Sequence, residues 1–164
     1  MNTSLYPELP VLLVDDEEAW LHSFSLALKA AGVTHIHCHQ DSRSVLQLLK
    51  EQRFSTVVLD LIMPHVTGEE ILPRIVEEHP EIPVLVLTGL DLVDSAVNCM
   101  NLGAFDYYTK VSEEDRMVSG VKRALDFVRL RRENSSLKEI FLKDALNNPE
   151  AFSHIITHNK AMHS

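Results

Sequence analysis

Val11-Leu12-Leu13-Val14-Asp15-Asp16 is a run of four apolar residues that ends on two carboxylates. The pattern returns in Thr56-Val57-Val58-Leu59-Asp60 and again in Val84-Leu85-Val86-Leu87-Thr88. Short continuous apolar runs, mostly β-branched or leucine, suit strands buried on both faces, as in a parallel sheet. A fourth segment, the aromatic Phe105-Asp106-Tyr107-Tyr108, runs into Thr109-Lys110. Residues 34–39 alternate His35, His37 and His39 with Ile36 and Cys38. Alternation implies one wet face, so this stretch is expected at a sheet edge.

Helical periodicity fills the intervals. Trp20, Phe24, Leu28 and Ala31 form one stripe, closed by Gly32. Ser42 is expected to cap a helix carrying Val45, Leu48 and Leu49. Ile71, Ile75 and Val76 belong to a helix that must end before Pro80. Val93, Val97 and Met100 mark a fourth helix, closed by Gly103. Ser112 is expected to cap a fifth, with Asp115 at the N3 position and Val118, Val121, Leu125 and Val128 following. Strand and helix alternate five times, which predicts an α/β fold with a parallel sheet wrapped on both faces. Right-handed crossovers leave few topologies, among them the doubly wound, flavodoxin-like (βα)5 order 2-1-3-4-5.

The 164 residues are 45% apolar and 24% charged, ordinary values for a globular chain of one domain, or of one domain with an appendage. Disorder over most of the length, collagen and low-complexity repeats are excluded. No apolar run approaches the ~18 residues of a membrane span, and residues 1–10 lack a basic n-region and an apolar h-region. Cys38 and Cys99 are too few for a disulfide scaffold. The expectation is a cytoplasmic protein with free thiols and no membrane partner. Residues 1–121 hold 7 Lys/Arg against 19 Asp/Glu, whereas residues 122–164 hold 8 against 5. The acidic part is a poor binder of nucleic acid, and the basic part reads as a solvated helix face.

In sheets of this kind ligands bind beyond the carboxyl ends of the strands. Those ends carry Asp15-Asp16, Asp60, Thr88 and Thr109-Lys110. Polar residues end most strands, which explains any one of these but not the set. Three carboxylates converging on one edge repel one another. A hard divalent cation relieves that repulsion, and an all-oxygen donor set suits Mg²⁺ better than zinc. A cation beside a lysine is also what a transferring phosphoryl group needs, because its transfer depends on positioning and charge neutralisation. A carboxylate can itself be the nucleophile, giving an acyl phosphate, and a threonine hydroxyl can hydrogen-bond a phosphoryl oxygen.

With these residues assembled, the chain resembles the receiver domain of bacterial two-component response regulators over about residues 8–128. Asp15-Asp16 is similar to the family's acidic pair, Asp60-Leu61-Ile62-Met63-Pro64-His65-Val66-Thr67-Gly68 to its phosphoacceptor loop, and Thr88-Gly89 to its switch hydroxyl and small neighbour. Gly103-Ala104-Phe105-Asp106-Tyr107-Tyr108-Thr109-Lys110 is similar to its last strand and lysine. The resemblance implies that Asp60 accepts phosphate from a sensor histidine kinase. It implies Mg²⁺ held directly by Asp16, Asp60 and the Ile62 carbonyl, with Asp15 acting through water. Lys110 would pair with Asp60 and then with the phosphoryl group. Thr88 would turn toward the phosphate, and Tyr107 would rotate inward behind it, switching the face formed by the fourth helix, the last strand and the fifth helix. One departure is Val111, where the family has a proline preceded by a cis bond. A non-proline cis bond costs ~2.5–4 kcal/mol, so a trans Lys110–Val111 bond is expected.

Three features outside this set invite other readings. His35, His37 and His39 could meet a metal, but no Cys or carboxylate stands at ligand spacing, and an exposed edge is the better account. Cys99 and Trp20 are expected in the core. Beyond residue 128 the helical pattern continues through Phe127, Leu130, Asn134, Leu137 and Phe141, spaced 3, 4, 3 and 4 residues apart like a short coiled-coil seam. Residues 1–128 are thus expected to form the receiver, and residues 129–146 a helical linker able to hold a homodimer. Asn147-Asn148-Pro149 should break the helix. The stretch from Phe152 to Met162 is similar to the opening of the ATPase domain of NtrC-like, sigma-factor-dependent transcriptional activators, so residues 147–164 would begin that domain.

The leading expectation is therefore a phosphorylation-switched regulatory module that controls transcription without a catalytic domain of its own. An aspartyl-phosphate phosphohydrolase would need a D-x-D loop, and Leu61 and Ile62 follow Asp60 instead. A stand-alone phospho-shuttle receiver would not need the tail. A phosphate-independent interaction domain would not need Asp15, Asp16, Asp60, Thr88 and Lys110 together.

Overall fold

The computed structural model describes residues 4–89, 93–110 and 113–147. The chain divides into two compact units, Met1–Val128 and Arg129–Ser164. In the first, β1 (Val11–Val14), β2 (Ile36–His39), β3 (Thr56–Asp60), β4 (Val84–Thr88) and β5 (Asp106–Thr109) form one parallel sheet in the order β2-β1-β3-β4-β5. This is the expected doubly wound arrangement. Four helices of this unit are α1 (Glu18–Ala30), α2 (Val45–Glu51), α3 (Gly68–Glu78) and α4 (Val93–Asn101), and α5 (Glu114–Asn147) follows β5.

Every residue of β1, β3 and β4 is buried. Alternate side chains feed opposite faces of the sheet, as strand geometry requires. Leu12, Val14, Val57, Leu59 and Val86 meet Leu48 and Leu49 of α2, Ile71 and Ile75 of α3, and Cys99 of α4. Val11, Leu13, Val58, Leu85 and Leu87 meet Phe24 and Leu28 of α1 and Val121 and Leu125 of α5. Helices α1 and α4 are followed by Gly32 and Gly103 at φ +96° and +105°, a conformation that glycine adopts without a Cβ penalty.

Three expectations change. The edge strand is shorter than residues 34–39, because the N–H groups of Thr34 and His35 both donate to the Tyr6 carbonyl at 2.8 Å. Ser42 does not cap α2. Asp41 caps a short 3-10 turn, Ser42–Ser44, by accepting from the Arg43 N–H, and the buried Ser42 hydroxyl donates to the Pro64 carbonyl at 2.7 Å. The stripe assigned to α4 is also corrected: Ala96 and Cys99 are buried, whereas Val97 and Met100 are 54% and 41% exposed. The buried face thus carries the small Ala96, a choice of face that counting large apolar residues does not reveal. The expected cap Ser112, the Lys110–Val111 bond and residues 148–164 lie outside the described residues.

Each strand-edge histidine has a local partner. His35 Nδ1 lies 2.9 Å from the Pro7 carbonyl, His37 meets Phe54 edge-on, and His39 Nε2 lies 2.8 Å from Ser44 Oγ. Among the described residues, no helix is long and apolar enough to cross a membrane.

Where α5 crosses β5, the buried Tyr108 hydroxyl donates to Asp106 Oδ2 at 2.9 Å and accepts from Arg123 at 2.7 Å. Burial, reinforced by Asp106, pushes the phenol up to about 12. A Cβ on Gly120 would stand 2.1 Å from that hydroxyl, so the helix reaches this depth only with glycine there. Gly120→Ala should lower stability by ~1–3 kcal/mol despite the better helix propensity of alanine. Urea unfolding checks this, and a stabilised variant would contradict the packing described.

Candidate functional site

The register Val14↔Leu59 ends β1 and β3 side by side, and Thr88↔Thr109 does the same for β4 and β5. The residues at those ends therefore share one edge. Asp15, Asp60 and Thr88 are buried there, and Asp16 is exposed. Thr88 also accepts, through its carbonyl, the Lys110 N–H at 2.9 Å.

Lys110 Nζ forms an ion pair with Asp15 Oδ2, donates to Asp60 Oδ2 at 3.3 Å and lies 3.8 Å from Glu17 Oε1. Asp15 Oδ1 accepts from the Glu17 N–H at 2.9 Å, and Asp60 Oδ1 accepts from the Ile62 N–H at 3.2 Å. One ammonium thus serves two buried carboxylates. Burial, and then the charge of Asp15, push the Asp60 carboxyl up to about 6 against the pull of Lys110. Burial also raises Asp15, outweighing the bonds from Lys110 and the Glu17 N–H. For Lys110, burial works against the charge, but Asp15 and Asp60 outweigh it and hold the ammonium above its ordinary range.

The ammonium of Lys110 is thus shared among the carboxylates of Asp15, Asp60 and Glu17. Oxygens of Asp15, Asp16 and Asp60 all lie within 4.8 Å of one another. An all-carboxylate set whose two buried members share one ammonium fits a hard divalent cation such as Mg²⁺.

The phosphoacceptor-like loop after Asp60 is bound to its surroundings. Gly68 N–H donates to the Leu61 carbonyl at 3.0 Å, Val66 N–H to Ser42 Oγ at 3.2 Å, and His65 sits at φ +74°. A Cβ on Gly68 would lie 2.5 Å from the Asp60 carbonyl oxygen. An open cleft of about 220 Å³ beside Asp60 is lined by Ile62, Met63, Thr67, Glu69, Thr88 and Ser95. Of the residues singled out in the sequence, Asp15, Asp16, Asp60 and Lys110 form one cluster, and Thr88 lines the adjoining cleft. Tyr107 is outside it, 40% exposed on the surface of β5.

Sequence reasoning missed Trp20 and Glu17 as neighbours of the lysine. Trp20 does stack on Phe24 as a core anchor would, with ring centroids 5.0 Å apart. Lys110 Nζ also lies 4.9 Å from the centre of its indole ring. The available signal was spacing: Trp20 is four residues after Asp16, and side chains lean toward the N-terminal end of a helix.

Residues 11–122 match the response regulator receiver domain family. A putative NtrX-like response regulator of Rickettsia felis is 35% identical over 133 residues, covering 80% of this chain and 28% of that protein. The regulatory protein AtoC of Escherichia coli is 30% identical over 152 residues, covering 93% of this chain and 32% of that protein. The chain thus spans less than a third of these relatives. Among solved structures, NtrX from Brucella abortus in complex with ATP superposes with a TM-score of 0.70 at 29% identity, covering 79% of this chain and 29% of that one. The beryllofluoride-activated NtrC4 receiver domain dimer gives 0.67 at 33% identity, over 73% and 98% of the two chains.

The raised Asp60 carboxyl has a consequence for stability. Between its ordinary value of 3.8 and about 6, the folded chain binds more protons at Asp60 than the unfolded chain, so this residue's contribution falls as pH rises through that window. Without metal, Asp60→Asn should therefore be more stable than the parent at pH 7, by roughly 1–3 kcal/mol, and equal to it near pH 4. Urea unfolding at the two pH values measures this. A variant less stable at pH 7 would show that Lys110 fully compensates the buried charge.

Proposed function

The chain belongs to the response regulator receiver family, and from that premise we propose that Asp60 is its phosphoacceptor, taking a phosphoryl group from a sensor histidine kinase in a Mg²⁺-dependent transfer. The observation that carries this reading is the cluster at the carboxyl edge of the sheet in which the buried Asp15 and Asp60 share the Lys110 ammonium. Asp16, Asp60 and the Ile62 carbonyl would hold the Mg²⁺, with Asp15 acting through water. When bound, the cation neutralises charge on the carboxylates and on the incoming phosphoryl oxygens.

A carboxylate oxygen of Asp60 attacks phosphorus as the bond from phosphorus to the kinase histidine breaks; with the phosphohistidine protonated at its second ring nitrogen, this leaves an acyl phosphate on Asp60 and a neutral imidazole on the donor. Lys110, already 3.3 Å from Asp60 Oδ2, then pairs with a phosphoryl oxygen. Thr88, buried at the end of the neighbouring strand, turns its hydroxyl to another. Tyr107, now exposed on β5, moves inward behind Thr88. A hydroxyl and an aromatic rotamer make a two-state element that the added charge biases. The surface it alters lies on α4, β5 and α5, where Val97, Met100, Tyr107 and Phe127 are exposed.

The whole protein is proposed to be an NtrC-like transcriptional activator, dimeric through α5, of which this chain carries the regulatory part. Helix α5 runs unbroken from Glu114 to Asn147, with Leu130, Leu137, Ile140 and Phe141 exposed. Exposed apolar stripes of this kind mark interfaces. The match to AtoC extends over 152 residues, more than the receiver alone occupies, which supports a following domain. The tail disfavours a stand-alone shuttle.

Two experiments test this reading. Acetyl phosphate with Mg²⁺ should add one phosphate to the chain, and both Asp60→Asn and EDTA should abolish the addition, as read by intact mass. Undiminished labelling of the variant would exclude Asp60. In sedimentation at tens of micromolar, the full chain should be a dimer, and a truncation after Arg129 a folded monomer that still takes phosphate. A monomeric full chain, with and without beryllofluoride, would make the helix a solvated extension.

A further inference from the structure

Lys110 has two kinds of neighbour. Asp15, Asp60 and Glu17 are anionic partners. Trp20 offers the face of its ring, 4.9 Å from Nζ to the ring centre. The indole is itself fixed: it stacks on Phe24 with an interplanar angle of 19°, and Phe24 is almost wholly buried in the core formed by α1, α5 and the sheet. A lysine is a point charge on a flexible four-carbon stem and does not place itself.

The two kinds of neighbour differ in what the proposed reaction does to them. A cation bound by the carboxylates competes with Lys110 for Asp15 and Asp60, and phosphorylation turns the Asp60 carboxylate into an acyl phosphate whose charge lies on the phosphoryl oxygens. The indole face keeps its quadrupole throughout, and it attracts an ammonium more strongly where water is excluded.

Resting on the reading of Asp60 as phosphoacceptor, we propose that Trp20 is a positioning residue for phosphoryl transfer, holding the Lys110 ammonium beside Asp60 while its carboxylate partners are drawn off. It acts through Lys110 and touches no reacting atom. Because the ring face does the holding, Phe or Tyr at position 20 substitutes for it and an aliphatic residue does not.

The test uses the full chain with acetyl phosphate, comparing wild type, Trp20→Phe, Trp20→Tyr and Trp20→Leu across a Mg²⁺ titration, with thermal melting of each. The aromatic variants should label within about twofold of wild type. Trp20→Leu should be about three- to tenfold slower at saturating Mg²⁺, with an unchanged half-saturating Mg²⁺ concentration. A Trp20→Leu rate equal to wild type overturns the proposal alone, whereas a wild-type chain that takes no phosphate overturns the reading of Asp60 as well. Equal slowing of all three folded variants assigns Trp20 to packing and also overturns it. Should Trp20→Leu fail to melt cooperatively, emission of the sole tryptophan decides. Lys110→Met should shift that emission in the folded chain, and an unshifted spectrum overturns the contact on which the proposal stands.

Discussion

Two buried carboxylates and one ammonium share the carboxyl edge of the sheet, and the surrounding structure holds them there. Asp15 and Asp60 are side by side because β1 and β3 are adjacent and in parallel register. Neither can move away from the other without shifting a strand whose every residue is buried. Their repulsion is therefore built into the packing and is only partly relieved by Lys110. A surface pair of acids would rotate apart into water; this pair cannot. A site constrained in this way favours whatever brings positive charge to it.

The positions that define this edge were legible in the sequence because strand ends are local. An apolar run stops where a polar residue begins, and Asp15, Asp60 and Thr88 each occupy such a stop, while Lys110 follows the aromatic segment through Thr109. The parallel order followed from the alternation of strand and helix. Other features depended on distant partners. The buried face of α4 is set by Ala96 and Cys99, although Val97 and Met100 are the larger apolar residues. Ser42 looked like a cap because its type and position suit one, yet its hydroxyl bonds the loop 22 residues further on. Gly120 reads as a weak point in a helix until Tyr108 is placed beneath it. Trp20 is expected in the core, and its ring does stack on Phe24 there; it also meets the lysine.

The same geometry links the site to its surroundings through few connections. Ser42 ties the start of the α2 region to the loop that follows Asp60, through the Pro64 carbonyl and the Val66 N–H. Gly68 closes that loop against the Asp60 backbone so tightly that a side chain would not fit. The Lys110 backbone is fixed to the end of β4 by the Thr88 carbonyl. On the proposed reading, a phosphoryl group on Asp60 would load this frame where it is least able to yield. The response would then pass to the side chains that can change rotamer, Thr88 and the exposed Tyr107.

The most direct measurement of this account is the titration of the Asp60 side-chain carboxyl by carbon NMR in metal-free protein, repeated with saturating Mg²⁺. Crowding by burial and by Asp15 predicts a midpoint at about 6 without metal. A bound divalent cation should move that midpoint below the ordinary carboxylate value. A metal-free midpoint near 3.8, unmoved by Mg²⁺, would contradict the claim that burial and Asp15 crowd the negative charge of Asp60.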